Sequence, residues 1–311
     1  MRLQDVVAAA SHYQVVLEPD QDKPEWWAGA PSVTVADDGT FYLAARMREG
    51  DSPRGRRGYE IRILKSKDGL RFTPIHHIRR EDAGVPVFER PSLRVDPSTG
   101  KYRLYGCAEL DTGWAIVKFA DADDPSKFDP TSWAPVLAAE RPSDDFVRVV
   151  GYKDPVIVWD HGRWHMFVIA ADRVERIRHF ASDDGQTWEP VGDDPAMENA
   201  GWHNFFTRPA SLLPLSMGYL FVYEGSNVNW RDPVYNIATG LAYSPDLERF
   251  IDLTPRQPLL KSTTPGEYHT WRYSEWVPYD GRLFVYFEAA RPNNTNELRV
   301  AVLDSSISME A

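Results

Sequence analysis

The chain has 311 residues, with 35 Lys and Arg against 46 Asp and Glu, a formal net charge of −11. That balance excludes a general nucleic-acid binder, whose basic surface must displace counterions, and the single cysteine, Cys107, excludes an internal disulfide or a multi-cysteine zinc site and reads as a buried structural thiol. No 18-residue apolar run offers a membrane span, the first residues carry no long apolar stretch of a signal peptide, and a cytoplasmic protein is expected.

The 11 Trp, 14 Tyr and 14 Phe, with 24 Pro and 20 Gly, favour many short strands over helices. In chain order, segment 12–17 is a strand that is free to pair with the last one, 298–303, and join the two ends in one blade. Between them a unit recurs: an apolar strand opened by a residue before proline or an equivalent start, a tight turn ending in Gly, and a second apolar strand. Ala30-Pro31 leads through Asp37-Asp38-Gly39 to Arg46. Arg90-Pro91 leads through Asp96 to Gly100 and on to Tyr105. Asp154-Pro155 leads through Asp160-His161-Gly162 to Val168. Arg208-Pro209 leads through Ser216-Met217-Gly218 to Glu224. Glu275-Trp276 leads through Tyr279-Asp280-Gly281 to Glu288. The units start at 30, 90, 154, 208 and 275.

Third strands follow with a second signature, seen at Ser66-Lys67-Asp68-Gly69, Ser182-Asp183-Asp184-Gly185 and Ser244-Pro245-Asp246. Asp bonds its own backbone and Gly takes positive φ, so these aspartates are read as turn formers. Five units of about 60 residues with four strands each predict an all-β fold: one five-bladed β-propeller domain spanning 1–311, with no linker.

First-strand starts and second-strand ends share the face around the central funnel. The starts are Ala30, Glu89 with Arg90, Lys153 with Asp154, Thr207 with Arg208, and Ser274 with Glu275. The ends are Arg46, Glu109, Asp172, Glu224 and Glu288; rim loops add Arg54, Arg56, Arg57, Asn229, Trp230, Arg231 and Asp232. Charges on converging strand starts have two readings: Arg–carboxylate pairs plugging the channel, or a polar catalytic pocket. Aromatic faces suit the C–H faces of sugar rings, which brings Trp27 and Trp230 into the candidate set.

At these residues the chain resembles the propeller glycoside hydrolase superfamily that includes families 32, 43, 68, 117 and 130, over residues 25–305. The segment from Lys153-Asp154-Pro155 to Met166 resembles the third-blade motif of families 32 and 43. The resemblance implies that Asp154 tunes the acid or steadies an oxocarbenium-like transition state. It also shows departures. Ala30 stands where family 43 has its catalytic base, Thr207 and Arg208 stand where that family has its acid, and Glu89-Arg90-Pro91-Ser92 replaces the Glu-Asp-Pro-Arg of family 130.

Glycoside hydrolysis needs two carboxyl groups across the scissile bond. The expected catalytic set is Asp154, Glu275 and Glu89, with Glu275 in a Trp-rich place facing Asp154 across the funnel. Arg90, Arg208 and Lys153 suit an anionic sugar or phosphate; Glu224, Glu288 and His203 complete the substrate contacts. No cofactor or metal motif is present, and nothing fixes the oligomeric state. The expected function is a glycoside hydrolase on a small glycoside or oligosaccharide, with inversion. The alternatives are a family 130-type phosphorylase and a non-catalytic carbohydrate-binding propeller.

Overall fold

The computed structural model describes residues 3–52, 57–111, 113–139, 151–171, 174–230, 236–262, 264 and 269–304. Their strands pair in five antiparallel meanders, which we number as blades. Blade I comprises β2 (Trp27–Val35), β3 (Phe41–Glu49), β4 (Arg57–Ser66) and β5 (Thr73–Arg79). Blade II comprises β6 (Ser92–Val95), β7 (Tyr102–Leu110), β8 (Gly113–Lys118) and β9 (Ala134–Ala138). Blade III comprises β10 (Gly151–Asp160), β11 (Arg163–Ala171), β12 (Glu175–Ser182) and β13 (Glu189–Pro190). Blade IV comprises β14 (Phe206–Pro214), β15 (Tyr219–Ser226), β16 (Ala238–Ser244) and β17 (Ile251–Asp252). Blade V takes β18 (Trp271–Tyr279), β19 (Arg282–Ala290) and β20 (Asn296–Asp304) from the C-terminal part, and β1 (Tyr13–Leu17) from the N-terminal part. β1 lies antiparallel on β20 with Tyr13 opposite Ala301, so the two chain ends meet in one blade as expected.

The long apolar runs of the second strands follow from this arrangement. Side chains alternate between the two faces of a strand, and each blade packs against a neighbour on both faces. On β11, Met166 and Val168 join the core shared with blade II, while Phe167 joins the core shared with blade IV. On β19, Val285 and Phe287 face blade IV, and Phe284 and Tyr286 face blade I. Five cores result, one per interface, and the fifth closes blade V onto blade I. Each fully buried Leu, Val or Phe contributes about 1.5–3 kcal/mol relative to exposure. A short helix, α1 (Leu3–Ala10), buries Val6 in the IV–V core. The result is a β-propeller.

The first strands adjoin one another around the axis: β2 with β6, β6 with β10, β10 with β14, β14 with β18 and β18 with β2. Third strands hand over to the next first strand through single contacts, such as Glu175 with Phe206 and Trp27 with Asn296. The Ser–Asp signatures are turns, as read: the Asp68 carboxylate accepts the Leu70 and Arg71 N–H groups at 2.9 and 2.8 Å, and Asp184 and Asp246 repeat the pattern. Cys107 is free and buried.

The feature that shapes the site is a bulge in the first strands. In β2, β10 and β18 two residues oppose one on the neighbouring strand: Ala30-Pro31, Asp154-Pro155 and Tyr273-Ser274. The first of each pair has positive φ, at 51°, 55° and 53°. A side chain with a Cβ is strained there, so packing and hydrogen bonds must hold it. Equivalent positions are therefore Ala30, Asp154 and Tyr273. Glu275 lies two residues further along, past the bulge; the sequence Glu275-Trp276 imitates a strand start and hides this shift.

Candidate active site

Three layers of charge meet at the axis. In the channel, Glu275 accepts from Arg90 at 3.2 Å and from Arg94 at 2.8 Å. Arg90 also donates to the Pro209 and Ala210 carbonyls at 3.2 and 2.7 Å. Arg94 reaches the Val33 carbonyl at 3.2 Å and, with a shorter bond, that of Ile157. These groups tie the first strands of all five blades together. Both Glu275 oxygens and most Arg90 donors are engaged in this plug.

On the blade I and V side, Glu288 is fully buried and accepts from Arg46 (2.9 Å), Arg272 (3.0 and 2.7 Å), Asn296 (2.6 Å) and the Ala30 N–H (3.1 Å). Gly29 makes room: a Cβ there would lie 1.9 Å from Glu288 Oε2. Burial opposes ionisation of Glu288, but Arg272 and Arg46 outweigh it and hold its carboxyl below the ordinary range. A carboxylate thus sits beside Ala30 after all, delivered by blade V. Glu89 accepts from Arg46 at 2.6 Å and Arg48 at 2.7 Å; these cations overcome its burial and hold it at about 2. Trp27 is buried, with the Arg48 and Arg272 guanidinium carbons each 4.9 Å from its ring centre.

On the blade III and IV side, Glu175 joins Lys153 (3.0 Å) and Arg208 through a short bond. Burial is again outweighed, and Glu175 is held at about 2. Sequence reasoning missed Glu175 because it opens a third strand, outside the first-strand starts and second-strand ends that mark the funnel face. His203 is buried away from this cluster, bonded to Thr207 at 2.9 Å and Asp252 at 3.2 Å, beside a cavity of about 690 Å³ that Phe250 and Glu248 also line. Trp230 sits half-buried in the turn after β15, its N–H on Asn227 at 2.9 Å. Arg54, Arg56, Asp172, Arg231 and Asp232 lie outside the described residues.

Two carboxyl groups in the middle form no ion pair among the described residues. Asp154 accepts the Tyr273 hydroxyl at 3.0 Å and the Arg90 N–H at 3.2 Å. Glu224, two residues before the end of β15, accepts the Ser274 N–H at 3.1 Å through one oxygen. Its other oxygen is enclosed and has no partner. Burial pushes Glu224 up to about 7, against the pull of Arg90 and Arg208. Asp154 from blade III and Glu224 from blade IV therefore contact adjacent residues of one bulge, Tyr273-Ser274. Tyr273 is buried, and the guanidinium carbons of Arg272, Arg46 and Arg90 stand 5.0, 5.3 and 5.7 Å from its ring. Among the described residues no group of three His, Cys, Asp or Glu is arranged to hold a metal ion.

No family model matches the sequence, and no curated protein matches it significantly. Solved structures do match in fold. A glycoside hydrolase superposes at a TM-score of 0.71 with 14% identity, covering 99% of this chain and 97% of that one. A glycosyl hydrolase from Bacteroides ovatus gives 0.67 at 17%, covering 94% and 93%. A β-1,2-mannobiose phosphorylase from Listeria innocua gives 0.65 at 13%, covering 93% and 94%. What the chain shares with these structures, along nearly its whole length, is the β-propeller fold that glycoside hydrolases and a glycoside phosphorylase both use.

Proposed function

We propose that the chain is a glycoside hydrolase whose general acid is Glu224 and whose base is Asp154, working as one five-bladed catalytic domain. One observation carries the reading: two buried carboxyl groups of unlike environment, one raised to about 7 and the other held by neutral donors, flank the same bulge. A general acid must keep its proton at working pH, and apolar burial supplies that. Glu224 Oε2, which lacks a partner, is the atom to which this reading assigns the proton for a leaving glycosidic oxygen. Asp154 activates water on the opposite face of the sugar, giving inversion. Glu89 and Glu175, held at about 2, and Glu288, held below its ordinary range, are engaged by cations and fix the guanidinium groups. Glu275 and Arg90 belong to the plug.

The substrate is a small glycoside or oligosaccharide. The fold neighbours, glycosidases among them, support this class at the level of architecture. Phosphorolysis is the second reading, favoured by the cations around the funnel and by the phosphorylase among the fold neighbours. A panel of aryl glycosides and oligosaccharides, incubated with and without phosphate, tests both. Release of free sugar, with its first anomer opposite to that of the substrate by NMR, is expected. A sugar phosphate formed only with phosphate selects the second reading. Binding without turnover of any compound ends both and leaves a carbohydrate-binding propeller.

A further inference from the structure

Between blades IV and V, beside α1, lies a cavity of about 570 Å³. Its apolar wall is Val7 and Ala10 of α1, Leu259 and Leu260, and Trp271, the first residue of β18. It opens to solvent past Val7 and Tyr13, which are 44% and 45% exposed. The charged groups on the wall are both cations, Lys261 and Arg299, and no carboxylate or side-chain amide lines it. In a chain of net charge −11 that composition runs against the overall balance. Lys261 is exposed and has no ion pair among the described residues. Arg299 donates its Nε–H to Glu297 at 2.7 Å and lays its guanidinium carbon 4.0 Å from the Tyr13 ring centre. Four enclosed indole N–H groups among the described residues lack a partner, those of Trp26, Trp27, Trp188 and Trp271, and of these Trp271 belongs to this wall. Phe287 covers one face of its ring, with centroids 3.5 Å apart, so packing fixes where the N–H stands. A buried donor left unpaired is costly and calls for an acceptor.

We infer that this cavity is a second binding site, and that it takes a small carboxylic acid with an apolar body, aryl or alkyl. The chemistry of the wall selects that class. Pockets of this size bind by burying apolar surface and by a few polar groups that fix orientation. Val7, Leu259, Leu260 and the Trp271 ring supply the first. The charged groups and the indole are donors only: the Lys261 ammonium and the Arg299 guanidinium suit a carboxylate, and a ligand oxygen supplies the acceptor that the Trp271 N–H lacks. A sugar ring fits less well, since its hydroxyls donate as well as accept and no carboxylate or amide side chain is there to take them. An organic cation is opposed by both charges. Asp154, Glu224 and Tyr273 do not line this cavity, and the inference does not rest on the glycosidase reading.

Calorimetry on the full chain tests it. 3-Phenylpropionate and hexanoate are titrated beside their amides, acetate and glucose. At least one of the two acids is expected to bind about 10-fold more tightly than its amide, through the charge-assisted bonds, and about 10-fold more tightly than acetate, through the buried apolar body. Preference for the phenyl acid names an aryl ligand, and preference for hexanoate an alkyl one. Lys261→Met and Val7→Glu, both at exposed positions, are expected to bring the acid down to its amide, one by removing a cation and the other by placing a carboxylate on the wall. Val7→Gln, the neutral control at the same position, keeps the preference, as does Arg163→Met at an exposed arginine on β11. Trp271→Phe keeps apolar surface, removes the N–H and weakens the acid by about 5-fold. An amide bound as tightly as its acid, or acetate bound as tightly as both acids, overturns the inference. So does the absence of binding at millimolar concentration, and so does selective acid binding unchanged in folded Lys261→Met and Val7→Glu proteins, which places the acid elsewhere.

Discussion

Replacing Glu224 with Gln is expected to stabilise the protein and stop turnover together. The native fold holds this carboxyl at about 7, against an ordinary value of 4.5. Between those values the unfolded chain sheds a proton that the native protein keeps. A carboxyl raised on folding therefore contributes stability only at low pH, and that contribution is lost as pH rises from 4.5 through 7. The gap amounts to about 3 kcal/mol at 1.36 kcal/mol per pH unit. Gln keeps the acceptor for the Ser274 N–H and never ionises, so it removes this loss. At about 2.1 cal/mol/K per residue of unfolding entropy, the variant melts about 4 °C higher than wild type at pH 8, relative to the difference at pH 5. Its kcat falls by about 10²–10⁴-fold, the worth of a positioned acid. Thermal melts at the two pH values and initial rates on one glycoside make the assay. A melting difference that does not change with pH, or a folded variant with full activity, refutes the argument that burial poises Glu224 as the acid.

The remaining predictions concern its neighbours. Asp154→Asn keeps the shape and loses the charge; kcat is expected to fall by about 10²–10⁴-fold with little change in melting temperature, whereas a structural Asp154 gives the reverse. Tyr273→Phe removes the hydroxyl that holds Asp154 and is expected to lower kcat by about 10-fold with KM and melting temperature nearly constant, whereas a packing role would lower the melting temperature and spare kcat. Glu275→Gln leaves Arg90 and Arg94 without their buried counter-charge. It is expected to cost about 3–5 kcal/mol in denaturant titrations, with the rate per folded molecule nearly unchanged.

Much of the architecture was legible because a propeller repeats one signal. The Asp-Gly turns, the proline-opened strands and the period of about 60 residues mark the blades, and the unpaired segment 12–17 matches the unpaired strand 298–303. The site was legible only in part. Strand position pointed to Asp154 and Glu224, although Asp154 lies inside β10, at its bulge, and Glu224 two residues before the end of β15. The bulge was invisible, since it inserts no motif and merely opposes two residues to one; hence Glu275 was read for Tyr273. Partnerships were also invisible. Arg46 and Glu288 lie 242 residues apart and meet only because the ring closes. A carboxylate missing from blade I could therefore arrive from blade V with no local trace beyond Gly29.

The most direct test of the account is a crystal structure of the Asp154→Asn variant with an oligosaccharide or glycoside from the panel bound. The account predicts that the ligand occupies the central funnel, with Glu224 Oε2 within about 3.2 Å of the glycosidic oxygen and the substituted side chain at position 154 facing the anomeric carbon across a water. A ligand seated instead in the side cavity beside His203, or one in the funnel whose glycosidic oxygen Glu224 does not approach, contradicts it.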